Sequence, residues 1–203
     1  MKRRQAIKIT SIGAISLSAS ISSSCSKNTY SFNHGVASGD PLEDRVILWT
    51  RVTPQQAGPV EAILEISEDD NFSKIAYSKK LRTSSLSDYT IKYDFLAKQY
   101  CDSDKGFFYR FRAGSSISEI GKSKTFSKNT VSAKIGVFSC SNFPAGYFNA
   151  YQAAAEKNDL DLWLHLGDYL YEYPMGGYAT DNAEKLGRTP SPMHEMITLS
   201  DYR

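Results

Sequence analysis

The sequence predicts an α+β chain of more than one domain. An immunoglobulin- or fibronectin-like β-sandwich over residues 30–128 precedes the beginning of an α/β domain over residues 134–203. Three observations predict it. Residues 30–128 hold short strand-like runs separated by polar turns, with no sustained helical period. Residues 134–173 read strand, loop, helix, strand, loop, which is a βαβ unit of a parallel sheet. The polar segment 127–132 lies between the two and reads as their join.

The β stretch opens on the turn residues Ser38, Gly39, Asp40 and Pro41, followed by a strand over residues 45–52. Residues 60–66 alternate and are expected to pair with residues 75–81 across the polar loop 68–71. A further strand is expected over residues 89–95. Phe107, Tyr109 and Phe111 fall on one face of a strand, with Arg110 and Arg112 on the other. Residues 114–121 then turn the chain into a last strand over 122–126. His34 reads as a loop or capping histidine.

In the βαβ unit, residues 134–139 form the first strand and Cys140 lies just past its end. Residues 147–157 are Ala-rich and free of Pro and Gly, enough for three helical turns. Residues 160–166 form the second strand, closed by Gly167 and Asp168. Cys140 and Asp168 thus fall at the carboxyl ends of neighbouring strands, where open α/β sheets place their chemistry. Tyr171, three residues on, can turn back to the same point. A thiol, a carboxylate and a phenol on one edge suit a hard trivalent cation. Beyond Tyr173 the chain is rich in Pro and Gly and reads as a long connection up to a segment at 193–199, with His194 and Glu195 on a short helix. Two strands cannot bury both faces of a parallel sheet, so this domain is expected to need completion.

Each candidate has a plainer reading. Cys140 could pair with Cys101 as a disulfide after export, or be a buried free thiol. Asp168 could cap a turn, and Tyr171 could be an ordinary loop aromatic. Asn142 could orient phosphate or serve as loop turn chemistry. Arg188 and Arg203 could pair with phosphate or be solvated or salt-bridged. His165 reads as a hydrogen-bonded strand residue rather than a ligand. No Gly-rich phosphate loop and no nucleophile elbow is present.

Composition bounds the partners. Of 203 residues, 41% are hydrophobic and 23% charged, which is ordinary globular material. The formal charge is +2, from 24 Lys and Arg against 22 Asp and Glu. Four of those basic residues (Lys2, Arg3, Arg4 and Lys8) stand in the first 25 positions with no acid, so the rest carries a net −2. Nucleic-acid binding has no electrostatic support.

Residues 1–25 read as an export signal: a basic start, then a mildly apolar, Ser-rich run too short and polar to span a membrane. Arg3-Arg4 with Ile7 and Lys8 is similar to a twin-arginine signal, with Ala6 where an aromatic is usual. Cys25, ending the run SISSSC, is similar to a lipoprotein acylation site, with Ser22 where Leu is usual. A general secretory signal cleaved at a small residue is the alternative. The chain is therefore expected to be periplasmic or at the cell surface, meeting a membrane only through a lipid anchor.

HGVASGDPLEDRVILWTRV (residues 34–52), FSCSN (138–142), HLGDYLYEY (165–173) and MHEMITLSDYR (193–203) stand in an order and spacing that resemble the PhoD-like alkaline phosphatases, a branch of the metallophosphatase-like superfamily. The resemblance implies a β-sandwich followed by a metallophosphatase-like α/β domain. It implies an exported phosphatase or phosphodiesterase that cleaves phosphoesters, small or polymeric, through a water activated by two metals. It implies Fe(3+) held by Cys140 and Tyr171, with Asp168 bridging to Ca(2+). Thiolate and phenolate suit trivalent iron, and a carboxylate oxygen suits calcium. The resemblance also places further ligands, including a His-containing block, beyond what corresponds to Arg203. Residues 134–203 are thus expected to carry roughly half of a two-metal site. The remainder would lie on a longer chain or on a second polypeptide. An inactive fragment, with the β-sandwich as a binding or structural module, is the alternative.

Overall fold

The computed structural model describes residues 29–102 and 104–203. Residues 1–25, read above as an export signal with Cys25 at its end, lie outside the described residues. The described chain forms two compact units, one ending at Thr125 and the other running Phe126–Arg203.

Apart from the short 3-10 helices Ser85–Ser87 and Ala97–Gln99, the described residues of the first unit are strands joined by turns and loops. β1 (Tyr30–Ser31) pairs with β4 (Thr53–Pro54), and β2 (Val36–Gly39), β3 (Val46–Arg51) and β7 (Thr90–Phe95) form a three-stranded antiparallel sheet with β3 at its centre. The larger sheet contains β5 (Val60–Ser67), β6 (Ile75–Thr83), β8 (Phe107–Ala113), β9 (Ser116–Ile117) and β10 (Gly121–Ser123). Its order is β10-β8-β5-β6, with β9 also on β8. The expected pairing of residues 60–66 with 75–81 is present, in the register Val60↔Thr83 to Ser67↔Ile75. The last strand stops at Ser123, short of the expected residue 126.

Period-two patterning decides which side chains share the core. Phe107, Tyr109, Phe111 and Ala113 alternate inward along β8 and are all buried. They meet Leu64 and Ile66 of β5, Val46 and Leu48 of β3, and Ile91 and Phe95 of β7 in one cluster. Each fully buried Phe contributes about 1.5–3 kcal/mol. On the opposite face of the larger sheet Glu65 is only 7% exposed. Arg110 Nε and Arg112 Nη1 donate to its two carboxylate oxygens at 2.7 and 3.0 Å, and the Arg110 guanidinium lies 4.0 Å over the Phe72 ring. Burial raises the Glu65 pKa, but the two guanidiniums outweigh it and hold the carboxyl below its ordinary range. The edge strand β6 carries Lys79, Lys80 and Arg82 on its exposed positions, which discourages pairing with another chain.

In the second unit, β11 (Ile135–Phe138) and β12 (Leu162–His165) run parallel, with Ile135 opposite Leu162 and Phe138 opposite His165. They are joined through α1 (Asn149–Lys157), which ends on Asn158 in the left-handed region. α2 (Ala183–Leu186) falls inside the stretch expected to be connection only, and Gly187 at φ 65° ends it. α3 (Leu199–Tyr202) starts later than expected, so His194 and Glu195 are not helical. Thr198 and Asp201 explain that start: each side chain accepts a hydrogen bond from the other's backbone N–H, closing a capping box. Of the described residues in this unit only Pro144, Thr180 and Ala183 are buried. Val137, Trp163 and Leu166 are exposed by 57, 61 and 73%.

Candidate metal centre

The site is built by two loops that continue the parallel ladder past the ends of β11 and β12. Leu166 N–H donates to Phe138 O at 2.9 Å, Cys140 N–H to Gly167 O at 3.2 Å, and Ser141 N–H to Asp168 O at 2.7 Å. Cys140 and Asp168 both lie in the left-handed region, at φ 60° and 54°, with Gly167 at φ 118°. Non-glycine residues adopt that region at a cost, and such residues gather at functional sites.

At these turns three donor groups meet. Cys140 Sγ lies 3.7 Å from Asp168 Oδ2, and Tyr171 Oη donates to the same oxygen at 3.3 Å. The Tyr171 phenol is held above its ordinary pKa of 10.0, first by its hydrogen bond with Cys140, then by desolvation and the Asp168 charge. Its ring stacks with Tyr173 and Tyr178 at centroid distances of 6.3 and 6.1 Å. The thiol and phenol protons thus converge on one carboxylate oxygen. A cation taking their place would meet thiolate, phenolate and carboxylate, three anionic donors that suit a trivalent ion. Among the described residues no group of three His, Cys, Asp or Glu side chains forms such a cluster, so Tyr171 is essential to this one.

A cleft of about 270 Å³ opens beside Cys140, lined by Ser141, Asn142, Tyr147, Phe148 and Tyr151 among others. Both polar atoms of the Asn142 amide are buried and lack a hydrogen-bond partner. Arg188 does not reach the three donors through a hydrogen bond. Its Nε donates to Phe143 O at 2.6 Å and its guanidinium lies 3.8 Å over the Phe143 ring and 4.6 Å over Phe148, with Nη2 buried and unpartnered. Arg188 therefore fastens the segment after α2 onto the turn that follows Cys140. His194 Nε2 lies 3.3 Å from Asp201 Oδ1, outside the cluster.

Cys101 and Cys140 are both free, so the disulfide alternative is not the arrangement seen. His165 is a hydrogen-bonded strand residue, as its sequence position suggests. Its partners Ser141 and Tyr151 escaped the sequence reading. The available signals were the position of Ser141 next to Cys140 and that of Tyr151 as the one aromatic residue in the Ala-rich run of α1.

A β-rich unit followed by a βαβ unit with a thiol–carboxylate–phenol cluster on its carboxyl edge defines a two-part α+β protein whose candidate site lies on the second part. The family model for the PhoD-like phosphatase N-terminal domain matches residues 17–127, and that for the PhoD-like phosphatase domain matches residues 135–203. The chain belongs to the PhoD-like phosphatase family. Alkaline phosphatase D of Bacillus subtilis (strain 168) is 36% identical over 207 residues, covering 95% of this chain and 33% of that protein. The solved structure of PhoD superposes with a TM-score of 0.71 at 33% identity, over 83% of this chain and 33% of that one. The chain thus spans about a third of the length of the relatives it matches.

Proposed function

We propose that this chain supplies the first half of the active centre of an exported, metal-dependent phosphoesterase, a phosphatase or phosphodiesterase of the alkaline phosphatase D kind. The observation that carries the reading is the convergence of Cys140 Sγ, Asp168 Oδ2 and Tyr171 Oη at 3.3–3.7 Å. Cys140 and Tyr171 would hold Fe(3+) as thiolate and phenolate, and Asp168 would bridge it to Ca(2+). Paired cations supply charge neutralisation for a phosphoester and a lowered pKa for an attacking water. The chain's own residues fix the donors. The two loop turns hold Cys140 and Asp168 side by side, the tyrosine stack holds the Tyr171 ring, and Asn142 offers an unpartnered amide beside the cleft to a phosphoryl oxygen. Arg188 would brace that loop through Phe143 and Phe148.

In the same reading the first unit is an immunoglobulin- or fibronectin-like sandwich, its two sheets sharing one core. Residues 1–25 direct export by a twin-arginine-like route, with Cys25 as a lipid anchor site. A second reading, that the chain acts only with a further polypeptide or not at all, is favoured by the exposed apolar faces of β11 and β12. A parallel sheet is ordinarily covered on both faces.

The test is iron and calcium content together with turnover of bis-p-nitrophenyl phosphate by the 203-residue chain. Measurements are made alone and with the missing part of the relative's phosphatase domain added as a second polypeptide. Bound iron with turnover in either condition supports the proposal. Absence of iron and turnover in both conditions refutes it.

A further inference from the structure

His165 is the last residue of β12, three positions before Asp168. Its Nε2 lies 2.7 Å from Tyr151 Oη on α1 and 3.0 Å from Ser141 Oγ, and the two hydroxyls also touch each other. On the other side of the ring Gly167 N–H donates to Nδ1 at 3.3 Å. Nδ1 is then the acceptor and Nε2 carries the proton, an assignment made from the network. The Tyr151 ring lies near-parallel to the imidazole, 13° between planes, and stacks on Phe138 at 4.8 Å. Tyr169 meets the imidazole edge-on.

These contacts close a circuit through both ligand-bearing loops. The imidazole holds the N–H of Gly167, whose carbonyl accepts from Cys140 N–H, and the hydroxyl of Ser141, whose N–H donates to Asp168 O. One ring thereby ties the residue after Cys140 to the residue before Asp168. Cys140 and Asp168 stay at φ 60° and 54° only while something holds both turns. Only a group with an acceptor on one edge and a donor on the other can span the two loops. A phenyl ring has neither, and a carboxamide has both on a shorter frame.

We propose that His165 is the positioning residue of the Cys140–Asp168–Tyr171 centre, setting the separation of the two loops and so the geometry offered to a cation. This rests on the metal-centre reading of the three donors. Outer-shell partners of metal ligands ordinarily govern affinity by about 10–100-fold.

The experiment titrates the full chain with ferric nitrilotriacetate and follows both iron affinity and the visible phenolate-to-iron charge-transfer band. Helix content is monitored by circular dichroism. His165→Phe keeps a ring and removes the hydrogen bonds to Ser141, Tyr151 and Gly167. Its affinity should fall by about 10–100-fold, with a displaced band and unchanged helix content. His165→Gln should recover most of the affinity, and Tyr151→Phe should fall between. Wild-type affinity and an unmoved band in His165→Phe overturn the inference. If His165→Phe loses helix content, Tyr151→Phe decides: a measurable loss of affinity supports the role, and wild-type affinity overturns it. A wild-type chain that takes up no iron and shows no band, both alone and with the remaining part of the relative's phosphatase domain added, refutes the metal-centre reading itself, and the inference falls with it.

Discussion

Cys140 and Asp168, 28 residues apart, sit side by side in matching left-handed turns, with Sγ 3.7 Å from Oδ2. Each turn is the first irregular stretch after a parallel strand, so two ladder hydrogen bonds continue beneath the side chains: Cys140 N–H to Gly167 O and Ser141 N–H to Asp168 O. The pairing of the two backbones is what places the donors side by side. Tyr171 completes the group because a three-residue step from Asp168 returns its hydroxyl to the same oxygen.

The first consequence concerns Tyr171 without metal. Its phenol is raised from 10.0 by Cys140, by desolvation and by the negative charge of Asp168, so it ionises at higher pH than a free tyrosine. Asp168→Asn removes the charge and should lower the titration midpoint of one tyrosine, read by absorbance near the phenolate band. An unchanged tyrosine titration curve would show that Asp168 does not govern this phenol. Tyr171→Phe should abolish the phenolate-to-iron band altogether, whereas Cys140→Ser should weaken iron uptake and leave a band in place.

A second prediction concerns acid stability of the first unit. Glu65 has a folded-state pKa below 4.5, so the folded state binds its proton less tightly than the unfolded state does. Its ion pairs therefore contribute fully above the unfolded value, and that contribution is lost as pH falls through the folded value. The urea midpoint should drop below about pH 4.5, and Glu65→Gln should flatten that part of the profile. At neutral pH the substitution should cost about 2 kcal/mol, since it weakens two charge-assisted hydrogen bonds. An unaltered acid limb would assign the drop to other carboxylates.

The close approach at Gly121 yields a third. Gly121 stands opposite Tyr109 in the β8–β10 ladder, and a Cβ there would lie 2.2 Å from the ring carbon Cζ. Tyr109 is buried, and burial pushes its phenol up to about 12. Gly121→Ala must therefore move a core ring or the edge strand, at a cost of about 1–3 kcal/mol in chemical denaturation. A stability equal to wild type would show that β10 gives way freely.

The cysteines supply a fourth. Cys101 is half-buried and its thiol is pushed up to about 11, by burial first and then by Glu68 and Asp102. Cys140 is exposed. In a Cys25→Ser chain at neutral pH, a disulfide reagent should label Cys140 well before Cys101, and unfolding should erase the difference. Equal rates in the folded chain would contradict the burial of Cys101.

Alternating residues at 60–66 and 107–111 made the main strands of the first unit legible, because a period of two has one inward face and these runs fill it with apolar side chains. The βαβ order and the edge that carries Cys140, Asp168 and Tyr171 were legible for a similar reason. Two apolar runs, a Pro- and Gly-free segment and two turn signals leave few arrangements. Short elements were not legible in this way. α2 spans four residues, and α3 begins where Thr198 and Asp201 cap each other rather than at His194. Tertiary structure alone decided the partners: that Arg188 lies on Phe143 instead of among the three donors, and that His165, Ser141 and Tyr151 tie the two loops together. Local pattern sets which face a side chain takes. Which distant group meets it there depends on how the turns place the backbone, and the spacing of residues along the chain does not encode that distance.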